Sequence, residues 1–139
     1  MGKKITYESF ETKGNSNFAA MYFDMLNSQA WQSLRGNSIK VYMFMRSKYK
    51  RKIVKEKIVS TNREDISISY KDTGLGQKAF EKAIDELIAT GFIKVNQYKP
   101  QGGFKKIIIY GFNDQWKYYN TLRFQIKDEW KRMCNRSEV

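Results

Sequence analysis

Gln77, Lys78 and Lys82 sit close together, and Lys94, Lys99, Gln101, Lys105 and Lys106 follow after a short apolar interval. A glutamine amide can donate to and accept from one adenine edge, and an ammonium can take guanine O6 and N7 or a backbone phosphate. Gln77 is therefore the better candidate for reading a base, since Lys78 can rest on phosphate alone. No acid occurs between Phe92 and Phe112. Within that stretch Pro100, Gly102 and Gly103 let the backbone approach a groove closely, with Gln101 available to a minor-groove acceptor. Upstream, Arg46, Lys48, Lys50, Arg51, Lys52, Lys55 and Lys57 are opposed only by Glu56. Part of this run complements the C-terminal dipole of a helix. The remainder reads either as a solvated loop or as a phosphate-contacting patch that includes Lys48, Arg51 and Lys52, because crowded like charges favour an anionic partner. Lys71 adds one more cation just ahead of Gln77.

Other chemistries have little to work with. The chain has no histidine, which removes the usual general base, nucleophilic triad and zinc sites. GLGQKAF is glycine-rich but lacks the Gly-Lys-Ser/Thr ending of a phosphate loop. Glu64, Asp65 and Asp72 cluster in sequence, as the carboxylates of a metal-dependent nuclease can, and capping helices or balancing lysines is their simpler role. A non-enzymatic protein with no cofactor and no metal is expected. The single Cys134 excludes an internal disulfide and fits a reducing compartment.

The elements that must position these groups follow from hydrophobic spacing. Phe80, Ala83, Ile84, Leu87 and Ile88 form the i, i+3, i+4, i+7, i+8 stripe of a helix lying on a core, and Gly91 stops it. Its opposite side presents Lys78, Lys82, Asp85 and Ala89, with Gln77 in the first turn. Ile93 and Val95, then Ile107 and Ile109, alternate as two strands of a hairpin whose tip is bracketed by Tyr98 and Phe104. Ile66 and Ile68 alternate with Ser67 and Ser69 as a short third strand, and Tyr70 to Thr73 allows at most one helical turn before Gly74. Earlier, Ser28 can cap a short helix through Leu34, and Asn37 or Ser38 can cap a buried helix in which Ile39, Val41, Tyr42, Phe44 and Met45 are apolar nearly all round. At the far end Leu122, Ile126, Trp130 and Met133 lie on one side of a C-terminal helix, which packs on its own domain or on a second copy.

A chain of 139 residues suits one domain with a sizeable core, and its net charge of +12 attracts a polyanion. The charge is uneven. Residues 28–63 carry ten cations against one acid, residues 64–91 three against six, and residues 92–112 four against none. The reading helix thus lies in an acidic section, so only its first turn is expected to engage DNA, and affinity should come from the hairpin and the Arg46 to Lys57 run. No stretch approaches the ~18 apolar residues of a membrane span and no secretory leader is evident, so a cytoplasmic protein without membrane contact is expected.

Helix followed by basic hairpin is the reading half of a winged helix-turn-helix. Longer patterns carry a resemblance as well. An apolar lead precedes Ser28, Ala30, Trp31 and Leu34; Lys40, Val41 and Tyr42 follow; then Gly74, Leu75, Phe80, Ala83, Ile84, Leu87, Gly91, Phe92 and Ile93 recur at matching spacing. Over residues 18–117 the chain resembles the small winged-helix DNA-binding proteins of bacterial plasmids, phages and conjugative elements. It departs from them at Gly76, where a serine cap is common. The resemblance implies an α+β fold with a small antiparallel sheet in a winged-helix domain (18–117), and the residues outside it read as an N-terminal arm (1–17) and a C-terminal helix (118–139) for packing or dimerisation. It also implies binding of double-stranded DNA in replication, partition or conjugative transfer. Transcriptional regulation by the same fold is the alternative, and a protein-interaction module within a replication or transfer assembly is the alternative of a different class.

Overall fold

The computed structural model describes residues 21–102 and 106–126, a mixture of helices and two small antiparallel sheets. The N-terminal arm and most of the C-terminal segment, including Trp130 and Met133, lie outside the described residues.

Two single-turn helices come first, α1 (Phe23–Leu26) and α2 (Gln29–Gln32). α1 makes one helical turn of the apolar lead that precedes Ser28. Ser28 caps α2, its hydroxyl oxygen accepting the Trp31 N–H at 3.1 Å. The next helix, α3 (Gly36–Ser47), starts ahead of the expected caps: Arg35 is its N-cap and Ser38 already lies inside it. The reason is a distant acceptor. One carboxylate oxygen of Glu86 takes the Arg35 N–H at 2.8 Å and the Ser38 hydroxyl at 2.6 Å, so an orphan helix donor is satisfied from another helix. Val41, Tyr42 and Met45 are buried, whereas Phe44 is exposed, so α3 has a wet side despite its composition.

Arg46 lies in the last turn of α3 and Lys48 is its C-cap, as the dipole argument expects, but the rest of the cationic run is not a loop. It forms a hairpin of β1 (Arg51–Val54) and β2 (Lys57–Thr61), joined by Lys55 and Glu56, both at positive φ (52° and 64°). Such turns are normally signalled by Asn-Gly or Asp-Gly, and Lys-Glu gives no such signal. Asn62 clasps the root: its side chain accepts from the Lys50 N–H at 2.7 Å and donates to the Lys48 carbonyl at 2.9 Å.

A single turn, α4 (Tyr70–Thr73), carries a reciprocal capping box between Ser69 and Asp72 and ends at Gly74, φ 77°. Helix α5 (Gln77–Ala89) follows, burying the expected Phe80, Ala83, Ile84, Leu87 and Ile88. It packs chiefly on α3. Gly91, at φ 88°, turns the chain into β3 (Ile93–Pro100), which pairs antiparallel with β4 (Lys106–Phe112). The register slips at Asn96, whose side-chain amide donates to the Glu64 carbonyl at 2.8 Å. In β4 the inward residues are Ile108, Tyr110 and Phe112, and Ile107 is exposed, which corrects the expected Ile107/Ile109 alternation. Three consecutive isoleucines contain no parity of their own. It is set by Ile66, which exchanges two backbone hydrogen bonds with Tyr110 at 2.8 and 2.9 Å and so adds a bridge to the edge of β4.

An aromatic cluster sits within a mainly aliphatic core. Trp31, Tyr42, Phe92 and Phe112 meet edge to face with centroids 5.6–5.9 Å apart, and Phe92 stacks on Trp116 at 5.8 Å. Burial pushes the Tyr42 hydroxyl up to about 12 despite the nearby Arg46 guanidinium, which acts in the opposite direction. After β4 the chain makes a 3-10 turn (Gln115–Tyr118), and residues 121–126 form a bend and a turn followed by irregular chain. The expected C-terminal helix is therefore not formed around Leu122 and Ile126. Leu122 is fully exposed and Ile126 half-buried, so no shared helical face joins them.

Candidate nucleic-acid interface

Four of the expected polar residues converge. Lys71 from α4, Gln77 from the start of α5, and Gln101 and Lys106 from the two sides of the β3–β4 tip line one groove of about 660 Å³. Its floor is apolar, with Ile68, Phe80, Ile84, Ile108 and Tyr110. The wall toward the middle of α5 is acidic, because Glu81 and Asp85 follow Gln77 at one-turn intervals. Asp85 therefore faces the hairpin, where spacing alone had set it among the outward residues with Lys78 and Lys82.

Those two lysines occupy the other flank of α5. Lys78 and Lys82 line a second groove of about 550 Å³ with Arg35, Asn37, Ser38 and Glu86. The Arg35 side chain is 88% exposed and lies 3.9 Å from Glu86, so it adds a cation to this flank. Nothing in the local sequence marks Arg35, since its placement depends on the long-range contact between Glu86 and the start of α3.

Several expected cations have other partners. Lys94 Nζ lies 2.9 Å from Glu64, which also approaches Arg63 at 3.3 Å, so Lys94 belongs to an ion-pair cluster on the sheet rather than to the wing tip. Lys48 Nζ lies 3.6 Å from Asp72 and ties the end of α3 to α4. The Ser69 N–H holds the Asp72 carboxyl below its usual range, and Lys48 adds to this. Arg46 is 5% exposed, with Nη1 donating to Met21 Sδ at 3.4 Å, and is removed from the surface altogether. Arg51 is half-buried at the hairpin root, whereas Lys52 is exposed on the hairpin, as are Lys50, Lys55 and Lys57. Lys99 is exposed near the end of β3; Lys105 and Phe104 fall outside the described residues. Tyr98 packs toward the core from the hairpin and presents no open stacking platform.

Glu64 and Asp72 thus serve as ion-pair and capping groups, and no group of three or more Cys, Asp or Glu side chains arranged to hold a metal ion occurs among the described residues. Nor, among them, is any helix long and apolar enough to cross a membrane. Compared with protein-family models, curated proteins and solved structures, the chain matches none. The functional reading therefore rests on the geometry of the site and the motifs of the sequence.

Proposed function

We propose that this chain is a sequence-specific double-stranded DNA-binding protein of winged helix-turn-helix type, serving replication, partition or transfer of a mobile element. The observation that carries the reading is the shared groove. Gln77 at the first turn of α5, Lys71 of α4, and Gln101 and Lys106 of the basic hairpin all face one space, as expected if a helix start and a wing hold the same duplex. In this reading Gln77 meets a base edge, Lys78 and Lys82 rest on phosphate along the other flank of α5, and the wing supplies Lys99, Lys105 and Lys106. The acidic wall at Glu81 and Asp85 keeps the later turns of α5 away from the phosphates, so the hairpin carries more of the affinity than the helix.

Selection of bound fragments from random duplex, followed by titration at several salt concentrations, tests this. The expected outcome is one preferred site and a linear fall of log affinity with log salt, at about 0.9 per phosphate neutralised. Neutralising Lys99, Lys105 and Lys106 together should cost more binding than Lys82→Ala, and the reverse order would sink the division of labour. The apolar floor of the groove favours one other reading, a protein-interaction module. Weak, sequence-blind duplex binding would support that reading.

A further inference from the structure

The β1–β2 hairpin is the feature that the helix-and-wing reading leaves over. It pairs with itself and packs comparably on no other described element. A lone two-stranded ribbon is marginal in water, yet this one leaves Ile53, Val54 and Val59 39%, 44% and 55% exposed and sets Lys52, Lys55 and Lys57 beside them. Cross-strand pairing puts Lys52 with Ser60 and Val54 with Lys57, so one face combines cations with an apolar side chain, while Arg51, Ile58 and Thr61 on the other face are half-buried.

A partner for that outer face must be anionic and must offer apolar surface between its charges. A second copy of the chain does not meet both needs, because its own hairpin would set lysines against lysines, and lysine along an edge deters strand pairing. The duplex backbone does both, with phosphates alternating with deoxyribose. The root is also well placed. Asn62 clasps the base of the hairpin, and Lys48 in that base is bound to Asp72 of α4, the element next to Gln77. From Lys50 to the turn the arm spans about 16 Å at ~3.3 Å per residue.

We propose that the β1–β2 hairpin is a second DNA-contacting arm. Lys52, Lys55 and Lys57 hold phosphates on duplex flanking the segment read by α5, and Val54 and Val59 cover the sugars between them. This rests on the DNA-binding reading above and extends it from one contact region to two. The arm lengthens the bound segment on one side by about five base pairs, at ~3.4 Å per pair.

The test uses the full chain on its selected duplex, with hydroxyl-radical footprinting and salt titration. Lys52→Gln/Lys55→Gln/Lys57→Gln should lower the salt slope by about 2.7 and erase about five base pairs of protection on one flank only. Val54→Ser/Val59→Ser should weaken that flank and leave the slope unchanged. Glu56→Lys adds charge at the tip and should steepen the slope by about 0.9, a gain that misfolding cannot mimic. If wild type binds its site and all three variants match it in slope and footprint, the arm is refuted and the helix-and-wing reading stands. If wild type protects no discrete site, both readings fall together.

Discussion

Replacing Gly91 by alanine probes the joint that sets the β3–β4 hairpin against α5. At φ 88° an L residue costs about 1–2 kcal/mol. An added Cβ would also stand 2.6 Å from the Trp116 nitrogen and 2.7 Å from the Gln115 carbonyl carbon. Both are backbone atoms and cannot rotate away, so the 3-10 turn must move. That loosens the Trp116 N–H bond to the Gly91 carbonyl, 3.1 Å long, at a cost of about 1 kcal/mol. It also disturbs the Phe92–Trp116 stack, which contributes about 0.5–1.5 kcal/mol beyond burial. The expected loss is about 2.5–4.5 kcal/mol, a large fraction of the ~5–15 kcal/mol that holds a domain together. For a chain of this size it lowers Tm by roughly 10–20 °C. Thermal unfolding followed by circular dichroism reads it directly. Gly102→Ala is the control, since Gly102 has similar φ (87°) with open space around it, and should lose only the conformational share. A Gly91→Ala loss below about 1 kcal/mol, or one equal to that of Gly102→Ala, would refute the packing argument.

Three further outcomes are expected. Lys94→Ala should leave the salt slope of duplex binding within about 0.3 of wild type, because Lys94 is engaged with Glu64, whereas Lys99→Ala should lower it by about 0.9; equal slopes would remove the distinction. Asp72→Ala should cost about 0.5–1 kcal/mol at pH 7 through loss of the α4 capping box, measured by urea unfolding. Its carboxyl is depressed in the folded state by the Ser69 N–H and then Lys48, so the contribution is complete above the unfolded value near ~4 and fades as pH falls through the lower folded one. Variant and wild type should therefore converge once pH has fallen through the lowered folded-state value, and a constant gap would contradict that assignment. Gly76→Ser should stabilise the protein by about 0.5–1 kcal/mol, since Gly76 has an ordinary φ of −69°, open space for a side chain, and no side-chain cap for α5. A decrease in Tm would show that this helix start does not accept a capped geometry.

Periodicity alone identified α5, because five apolar residues at helical spacing admit one face and Gly91 ends the run. The one-turn α4, the Ser28 cap and the two strands around the basic tip were readable for the same reason, each being written in neighbouring residues. Charge counting also separated an acidic segment containing α5 from basic flanks. Tertiary structure decided what those counts could not. Glu86, 48 positions from Ser38, starts α3 early and brings Arg35 beside Lys78 and Lys82. Ile66 sets which of three adjacent isoleucines turns inward. Glu64 pairs with Lys94 on the sheet, burial takes Arg46 off the surface, and four of the seven clustered cations, Arg51, Lys52, Lys55 and Lys57, come to lie on a hairpin whose turn carries no glycine or asparagine. Local spacing determines which side of an element is apolar. Which charge is neutralised, and which strand parity is buried, depends on groups far away in the chain that only folding brings within reach.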